Sequence, residues 1–288
     1  MGINIRTNVE SLRAQRDLNA TSDRLRTSYA RLSSGLRITR AADDAAGLAI
    51  AEQLRADQRI ASVAIRNAND GISIIGITDG AINEITSSLI RLAELAEQSA
   101  NGVYDTRQRS ALQLEFNAVS SEIQRIADTT TFNGKNLLVS PEDVTFQVGF
   151  DGGSNSQITY QGIQATLSAI GLRGGAADAG LTFSINDNTN LGAQIAARSA
   201  LDGVKLAIDS LTRARGTLGS AESRLNISIQ NLQVARENFA SAESRIRDVD
   251  VAYEAAELTR LNILQQAATS VLAQANQQPS LALSLLQG

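Results

Sequence analysis

Cut every seven residues, the stretch 204–253 reads VKLAIDS LTRARGT LGSAESR LNISIQN LQVAREN FASAESR IRDVDVA Y. Each block opens on a large apolar residue: Val204, Leu211, Leu218, Leu225, Leu232, Phe239, Ile246 and then Tyr253. Three places further on stand Ala207, Ala214, Ala221, Ser228, Ala235, Ala242 and Val249. An unbroken seven-residue apolar repeat is the seam of a long helix lying along other helices. A large register beside a small one lets the backbones approach closely. The spacing predicts one helix of about 55 residues, roughly 80 Å long at its rise per residue. Gly216 and Gly219 each weaken it by about 1 kcal/mol relative to Ala, which the seam offsets.

Working towards the start of the chain, the same kind of pattern recurs. Leu18, Leu25, Tyr29, Leu32 and Leu36 form a narrow stripe that Ser33-Ser34-Gly35 is placed to stop. A second stripe runs Ala61, Ile65, Ala68, Ile72, Ile75, Ile82, Ile85, Leu89, Leu92 and Ala96, until Asn101-Gly102. Asn69-Asp70-Gly71 and Thr78-Asp79-Gly80 read locally as turns, yet the stripe keeps its phase across both. One long helix with soft spots is the expectation. Leu112, Phe116, Val119, Ile123 and Ile126 mark a third helix ending before Phe132-Asn133-Gly134.

Residues 138–192 differ in kind. Glycines cluster there (Gly149, Gly152, Gly153, Gly162, Gly171, Gly174, Gly175, Gly180), and Val144-Thr145-Phe146-Gln147-Val148 alternates as a strand does. Ile158-Thr159-Tyr160 and Leu181-Thr182-Phe183-Ser184-Ile185 are further strand candidates, with Asp151-Gly152-Gly153 as a hairpin connection. The expected fold class is mainly α: a long antiparallel helical rod, or coiled-coil bundle, built from N- and C-terminal arms. A small β-hairpin region lies in its middle.

Composition narrows the function. The 288 residues are 43% hydrophobic but only 3% aromatic, with no Trp, so Ala, Leu and Ile carry the burial. There is no His and no Cys, which excludes thiolate nucleophiles, imidazole bases, disulfides and His/Cys zinc sites. No catalytic, cofactor or metal residues are assigned, and the chain is not expected to be an enzyme. Net charge is −4 and only Lys135 and Lys205 are lysines. The first 40 residues hold eight Arg against three acids, a net +5, but no aromatic interleaving supports nucleic-acid binding. That arm is expected to meet acids such as Asp248, Asp250, Glu254 and Glu257. The start lacks the apolar core of a secretory signal, and Arg6 stands where an M-G-x-x-x-[ST] lipidation pattern needs Ser or Thr. After Arg260 no charged residue occurs, yet Asn262, Gln265, Gln266, Gln274, Asn276, Gln277, Gln278 and Gln287 interrupt any membrane-spanning window. An uncharged amphipathic tail of this kind suits burial against protein partners rather than membrane insertion.

Several stretches resemble the bacterial flagellins. At the N-terminal side these are Leu32-Ser33-Ser34-Gly35-Leu36-Arg37-Ile38, Ala42-Asp43-Asp44-Ala45-Ala46-Gly47 and Arg66-Asn67-Ala68-Asn69-Asp70-Gly71-Ile72-Ser73. Gln98-Ser99-Ala100-Asn101-Gly102 and Thr131-Phe132-Asn133-Gly134 fit the same family. So do Ser244-Arg245-Ile246 with Asp248 and Asp250, Ile263-Leu264-Gln265-Gln266-Ala267, and Ser270-Val271-Leu272-Ala273-Gln274-Ala275-Asn276. The resemblance covers about residues 1–140 and 190–288, and the short middle lacks the large outer domains that flagellins commonly insert.

The resemblance implies a subunit that polymerises with itself into the helical flagellar filament. It implies export, largely unfolded, through the flagellar type III apparatus with an export chaperone, and folding at the tip beneath the cap. Segments 1–44 and 249–288 would be disordered in the free subunit and pair in the filament as an inner tube. Residues 45–248 would form the rod domain, with 138–192 at its outer edge. Leu18, Leu25, Leu32, Leu211, Leu218, Leu225, Leu232, Phe239 and Ile246 are the seam residues, and Ile263, Leu264, Val271 and Leu272 the terminal assembly residues. Neighbours would be the cap and the hook–filament junction proteins. The junction protein itself, of the same superfamily, is the alternative identity.

The family's innate-immune patch is matched in residue type by Arg91, Leu95 and Glu115, which implies detection by the Toll-like flagellin receptor. Without the resemblance these are an exposed charge, a stripe-edge Leu and a surface ion pair. Asp43-Asp44 read as an acidic helix start rather than as paired catalytic carboxylates. Gly134-Lys135 is a turn, since Thr129 and Asn136 break the phosphate-loop pattern.

Overall fold

In the computed structural model, residues 7–140, 142–173 and 181–287 are described, from 278 onward by their backbone alone. Gly174, Gly175 and Gly180 of the expected glycine cluster, Arg6 of the lipidation test and the side chains of Gln278 and Gln287 in the amide series lie outside these limits. The elements are α1 (Val9–Ser34), α2 (Ala45–Ala100), α3 (Thr106–Thr129), β1 (Thr131–Phe132), β2 (Lys135–Asn136), β3 (Val144–Gln147), β4 (Gln157–Tyr160), α4 (Asn190–Arg247) and α5 (Val251–Gln287). The fold is mainly α, with long helices packed on one another and two small antiparallel hairpins. It divides into two compact units, one of residues up to Gln58 together with those from Glu237, the other Arg59–Arg236.

In the first unit, α1 and α5 run antiparallel as a closely packed pair. Asn8 caps α1 by accepting from Ser11 N–H at 3.0 Å. Its amide also donates to the Ala275 carbonyl at 2.7 Å, while Ser11 Oγ donates to Asn276 at 2.7 Å. Near the other end, buried Glu254 faces Arg31 at 3.9 Å. Ala14, Leu25, Leu261 and Ala275 are buried along the seam, with Leu18 and Leu32 half-buried. Tyr29 departs from the expected stripe: it is 50% exposed. Helix α1 stops where Ser33-Ser34-Gly35 predicted, because Gly35 takes a left-handed φ of 72° and its N–H returns to the Arg31 carbonyl at 2.8 Å.

A short crossing follows. Leu36 bridges Asp248, Arg37 N–H donates to the Arg247 carbonyl and Val249 N–H to the Gly35 carbonyl. Here the heptads are corrected. Helix α4 spans 58 residues and ends at Arg247, and Asp250 caps a new helix by accepting from Ala252 and Tyr253 N–H. Tyr253, the last member of the repeat, therefore sits on α5 and is 70% exposed. Of the other members, Val204, Leu211, Leu218, Leu225 and Leu232 are buried, while Phe239 and Ile246 are half-buried.

The second unit holds the main core. Ile75, Ile82, Ile85, Leu89 and Leu92 of α2 join Phe116 and Ile123 of α3 and the Val204–Leu225 seam of α4 in one buried cluster. Helix α2 runs 56 residues through both local turn signals. Asn69 donates to the Ile65 carbonyl and Thr78 to that of Ile74, so the turn-forming side chains bond back onto their own helix. Gly71 is there for packing: a Cβ on it would lie 3.1 Å from Leu225 and 3.2 Å from the Phe146 ring. Gly216 and Gly219 of α4 meet nothing within 4 Å. Replacing both by Ala is expected to stabilise the subunit by roughly 1–2 kcal/mol, seen as a higher thermal midpoint by circular dichroism; a lower midpoint would refute this account.

Helix α3 starts on a reciprocal capping box between Asp105 and Gln108. The turn after it is a hairpin: Asn133 at φ 49° and Gly134 at φ 76° join β1 to β2. Strands β3 and β4 pair in the register Phe146↔Ile158, and the Phe146 and Tyr160 rings stack 6.2 Å apart. The expected third strand does not form. Among the described residues of 181–185 there is one isolated bridge, Leu181 to Arg173. The alternation there does report sidedness, since Ile185 is fully buried. Its N–H donates to Gln113 Oε1 at 2.7 Å and its carbonyl accepts from Ser99 Oγ, so helix side chains replace a strand partner.

Candidate assembly surfaces

The C-terminal helix presents an unusual face. Leu261 and Ala275 turn inward, but Ile263, Leu264 and Val271 are 61%, 41% and 53% exposed, and Leu272 is half-buried. Beyond Arg260 no charge lies on this helix. On α1, Val9 and Leu12 are likewise exposed. Exposed apolar residues that recur along one element mark an interaction surface. Among the described residues no helix is long and apolar enough to cross a membrane. The paired helices thus satisfy one apolar seam and leave other apolar side chains of α1 and α5 bare.

The acids expected to receive the basic arm do so unevenly. Glu254 meets Arg31, and Glu257 pairs with Arg260 while also feeling the charge of Arg24 on α1, whereas Asp250 caps α5. Arg37 directs its guanidinium to the Ile246 carbonyl, at 2.7 Å from Nη2, and so caps the end of α4. Arg247 reaches Glu52 at 2.8 Å.

Arg91, Leu95 and Glu115 are brought together, but not on one surface. Arg91 donates to Glu115 Oε1 from Nε and Nη2, at 2.9 and 2.6 Å, and to Glu94 from Nη1 at 2.9 Å. Hydrogen bonding to Glu115, then to Glu94, holds the guanidinium charge more firmly than usual. Leu95 is fully buried in the core. The Arg91–Glu115 pair lies at the surface and Leu95 does not.

The residue that sequence reasoning missed is Arg109, which is completely buried. Its guanidinium donates to the carbonyls of Ser99 at 3.0 Å, Asn101 at 2.9 Å and Asn190 at 3.3 Å, and to Asn190 Oδ1 at 3.0 Å. These bonds join the end of α2, the start of α3 and the start of α4. A signal existed: Arg109 stands seven residues before Phe116, in phase with the α3 stripe.

Asp43 and Asp44 are structural caps. Asp43 accepts from Thr39 Oγ1 and from the Thr39 and Arg40 N–H groups, and Asp44 from Gly47 N–H at 2.8 Å. The Thr39 hydroxyl, then the two backbone donors, holds the Asp43 carboxyl below its ordinary range. The Ser156 hydroxyl does the same for Asp151, Arg125 for Glu122 and Arg260 for Glu257. All four pKa values are depressed on folding. Their stabilisation is therefore full above the unfolded values, near about 4, and is lost as pH falls through the folded values. Three of the groups are exposed and Glu257 is half-buried at the surface, so each effect is small. The thermal midpoint is expected to stay level from neutral pH to about pH 5 and to fall below about pH 4; a midpoint that rises on acidification would contradict this.

Comparison with known proteins agrees with the geometry. Residues 5–141 match the bacterial flagellin N-terminal helical region, and residues 201–286 the bacterial flagellin C-terminal helical region. A flagellin from Halalkalibacterium halodurans is 43% identical over 284 residues, covering 98% of this chain and 99% of its own. Flagellin B of Vibrio cholerae is 34% identical in an alignment of 378 positions that covers 99% and 100% of the two chains. The crystal structure of Bacillus cereus flagellin, 28% identical, aligns over 58% of this chain and 88% of its own with a TM-score of 0.47. Similarity that runs nearly end to end, on a helical fold with paired terminal helices, places this chain in the bacterial flagellin family.

Proposed function

We propose that the chain polymerises through the bare faces of α1 and α5, with segments 1–44 and 249–288 forming the inner tube of a filament and 45–248 the surrounding part. As a flagellin it is a structural subunit of the bacterial flagellar filament, which is extracellular. The observation that carries the proposal is the uncharged apolar surface left on α5 at Ile263, Leu264 and Val271 after the α1–α5 seam is satisfied. Covering it requires further copies, and a head-to-tail contact whose rotation does not close gives an open helical polymer. Near-complete coverage by proteins called flagellin favours the filament subunit over the hook–filament junction protein.

Partners follow from that role: the cap and junction proteins at the two ends, and an export chaperone with the type III apparatus before assembly. Pairing of the termini only on assembly suits a tail with few polar means of staying dispersed alone. The Arg91–Glu115 face is the surface we assign to a Toll-like flagellin receptor. The test is seeded growth: purified subunit, offered filament fragments, is expected to extend them into long filaments in negative-stain micrographs. Chains trimmed of 1–44 or of 249–288 are expected not to grow. A closed small oligomer that ignores the seeds would overturn the reading.

A further inference from the structure

The chain contains two Asn-Gly dipeptides, Asn101-Gly102 and Asn133-Gly134, and the structure treats them differently. Asn101 follows the end of α2, and Val103 N–H donates to its side-chain Oδ1 at 3.2 Å. That bond folds the amide back over its own backbone, towards the Gly102 nitrogen. It also supplies a donor to the oxygen on which negative charge develops when the amide carbon is attacked. Gly102 puts no side chain in the way of that approach. Asn133, by contrast, is locked in the two-residue turn between β1 and β2, with its φ of 49° followed by 76° at Gly134.

We infer that Asn101 is a site of spontaneous deamidation, and that its conversion loosens the corner built on Arg109. The Gly102 backbone nitrogen attacks Asn101 Cγ and gives up its proton to solvent base. The N–Cγ bond forms, the Cγ–Nδ2 bond breaks, and ammonia leaves to give a cyclic imide. Water then adds to one of the two ring carbonyls. Opening at one leaves an ordinary aspartate in place of Asn101. Opening at the other yields the isoaspartyl linkage, which routes the backbone through the former side chain. Both products carry one new carboxylate.

The consequence falls on a buried cation. The Asn101 carbonyl accepts from Arg109 Nη2 at 2.9 Å, beside acceptors on Ser99 and Asn190 that are likewise uncharged. The aspartate product keeps that carbonyl in place. In the isoaspartyl product that carbonyl leaves the main chain as the new carboxylate and the main chain gains an atom between the end of α2 and the start of α3, so the corner must rearrange around the buried guanidinium.

The experiment ages the full-length purified subunit in mildly alkaline buffer and follows both sites by peptide mapping and isoaspartate methylation. Asn101 is expected to convert several-fold faster than Asn133, and Gly102→Ala to slow it by a similar factor. The aged protein should develop a lower-melting fraction in step with isoaspartate at residue 101, whereas Asn101→Asp, made directly, should melt close to the parent. Conversion of Asn133 first or equally, or none at Asn101, overturns the assignment of the site. Isoaspartate at 101 with an unchanged melt overturns the link to Arg109.

Discussion

Arg109→Ala is expected to destabilise the subunit by on the order of 4 kcal/mol, the largest loss expected from any single polar residue among those described. Four acceptor atoms at the corner of α2, α3 and α4 depend on that one guanidinium. A buried carbonyl left without a donor costs about 1–3 kcal/mol, and part of the vacated volume stays empty. Near-neutral replacement is excluded because Ala brings neither donors nor bulk. Arg109→Lys keeps the charge but not the planar fork that reaches separate carbonyls, so it should recover only a fraction. For a unit of this size the Ala variant is expected to melt roughly 8–16 °C lower, measured by circular dichroism. A shift of a degree or two would mean that water or rearranged backbone replaces the guanidinium.

Ile263→Glu combined with Val271→Glu is expected to abolish filament growth while leaving the subunit folded. Both side chains are more than half exposed, and surface substitutions of this kind change stability by about 0.5 kcal/mol or less. On the function proposed above, neighbouring copies cover the same positions in a filament. Each carboxylate would there lose its water without gaining a cation, at a cost of several kcal/mol. That cost is repeated at every contact along the polymer. The double variant should therefore show the parent's spectrum and melting curve but fail to extend seeds, and Ile263→Val should extend them normally. Normal filaments from the Glu variant would place the α5 face outside every subunit contact.

The helices were legible because burial along a rigid helix leaves a periodic trace. The α4 seam from Val204 to Leu232 is buried as its spacing requires, and so is the α2 stripe from Ala61 to Ala96 except for half-buried Ile65 and Ile72. The local turn signals did not break α2, as the unbroken phase of its stripe required, because those side chains have another use: Asn69 and Thr78 bond along their helix, and Gly71 makes room for Phe146. Tyr253 kept the seven-residue phase by coincidence of count, since the helix had already ended at Arg247. Segment 181–185 alternates like a strand because one side of it is buried, and alternation cannot reveal whether a neighbouring strand or a Gln113 amide supplies the hydrogen bonds. Leu95 reads as a stripe edge from sequence yet lies in the core, in one buried cluster with Phe116 and Ile123 of α3 and with Ile185. Arg109 was hidden by chemistry: its phase marks it as inward, and its charge argues the opposite until the carbonyls that receive it are known.

The α1–α5 pair also sets an order of events during folding. Asn8 bonds to Ala275 and Ser11 to Asn276, partners separated by 267 and 265 residues of chain. Contacts of such separation carry the full entropy of closing the intervening loop and form late. The hairpins, by contrast, close over a few residues: Phe132 finds Lys135 and Phe146 finds Ile158. Whichever of α1 and α5 is delivered first must therefore wait, without its seam, until almost everything between them has followed. The two ends of the chain are the last part of the molecule able to complete itself.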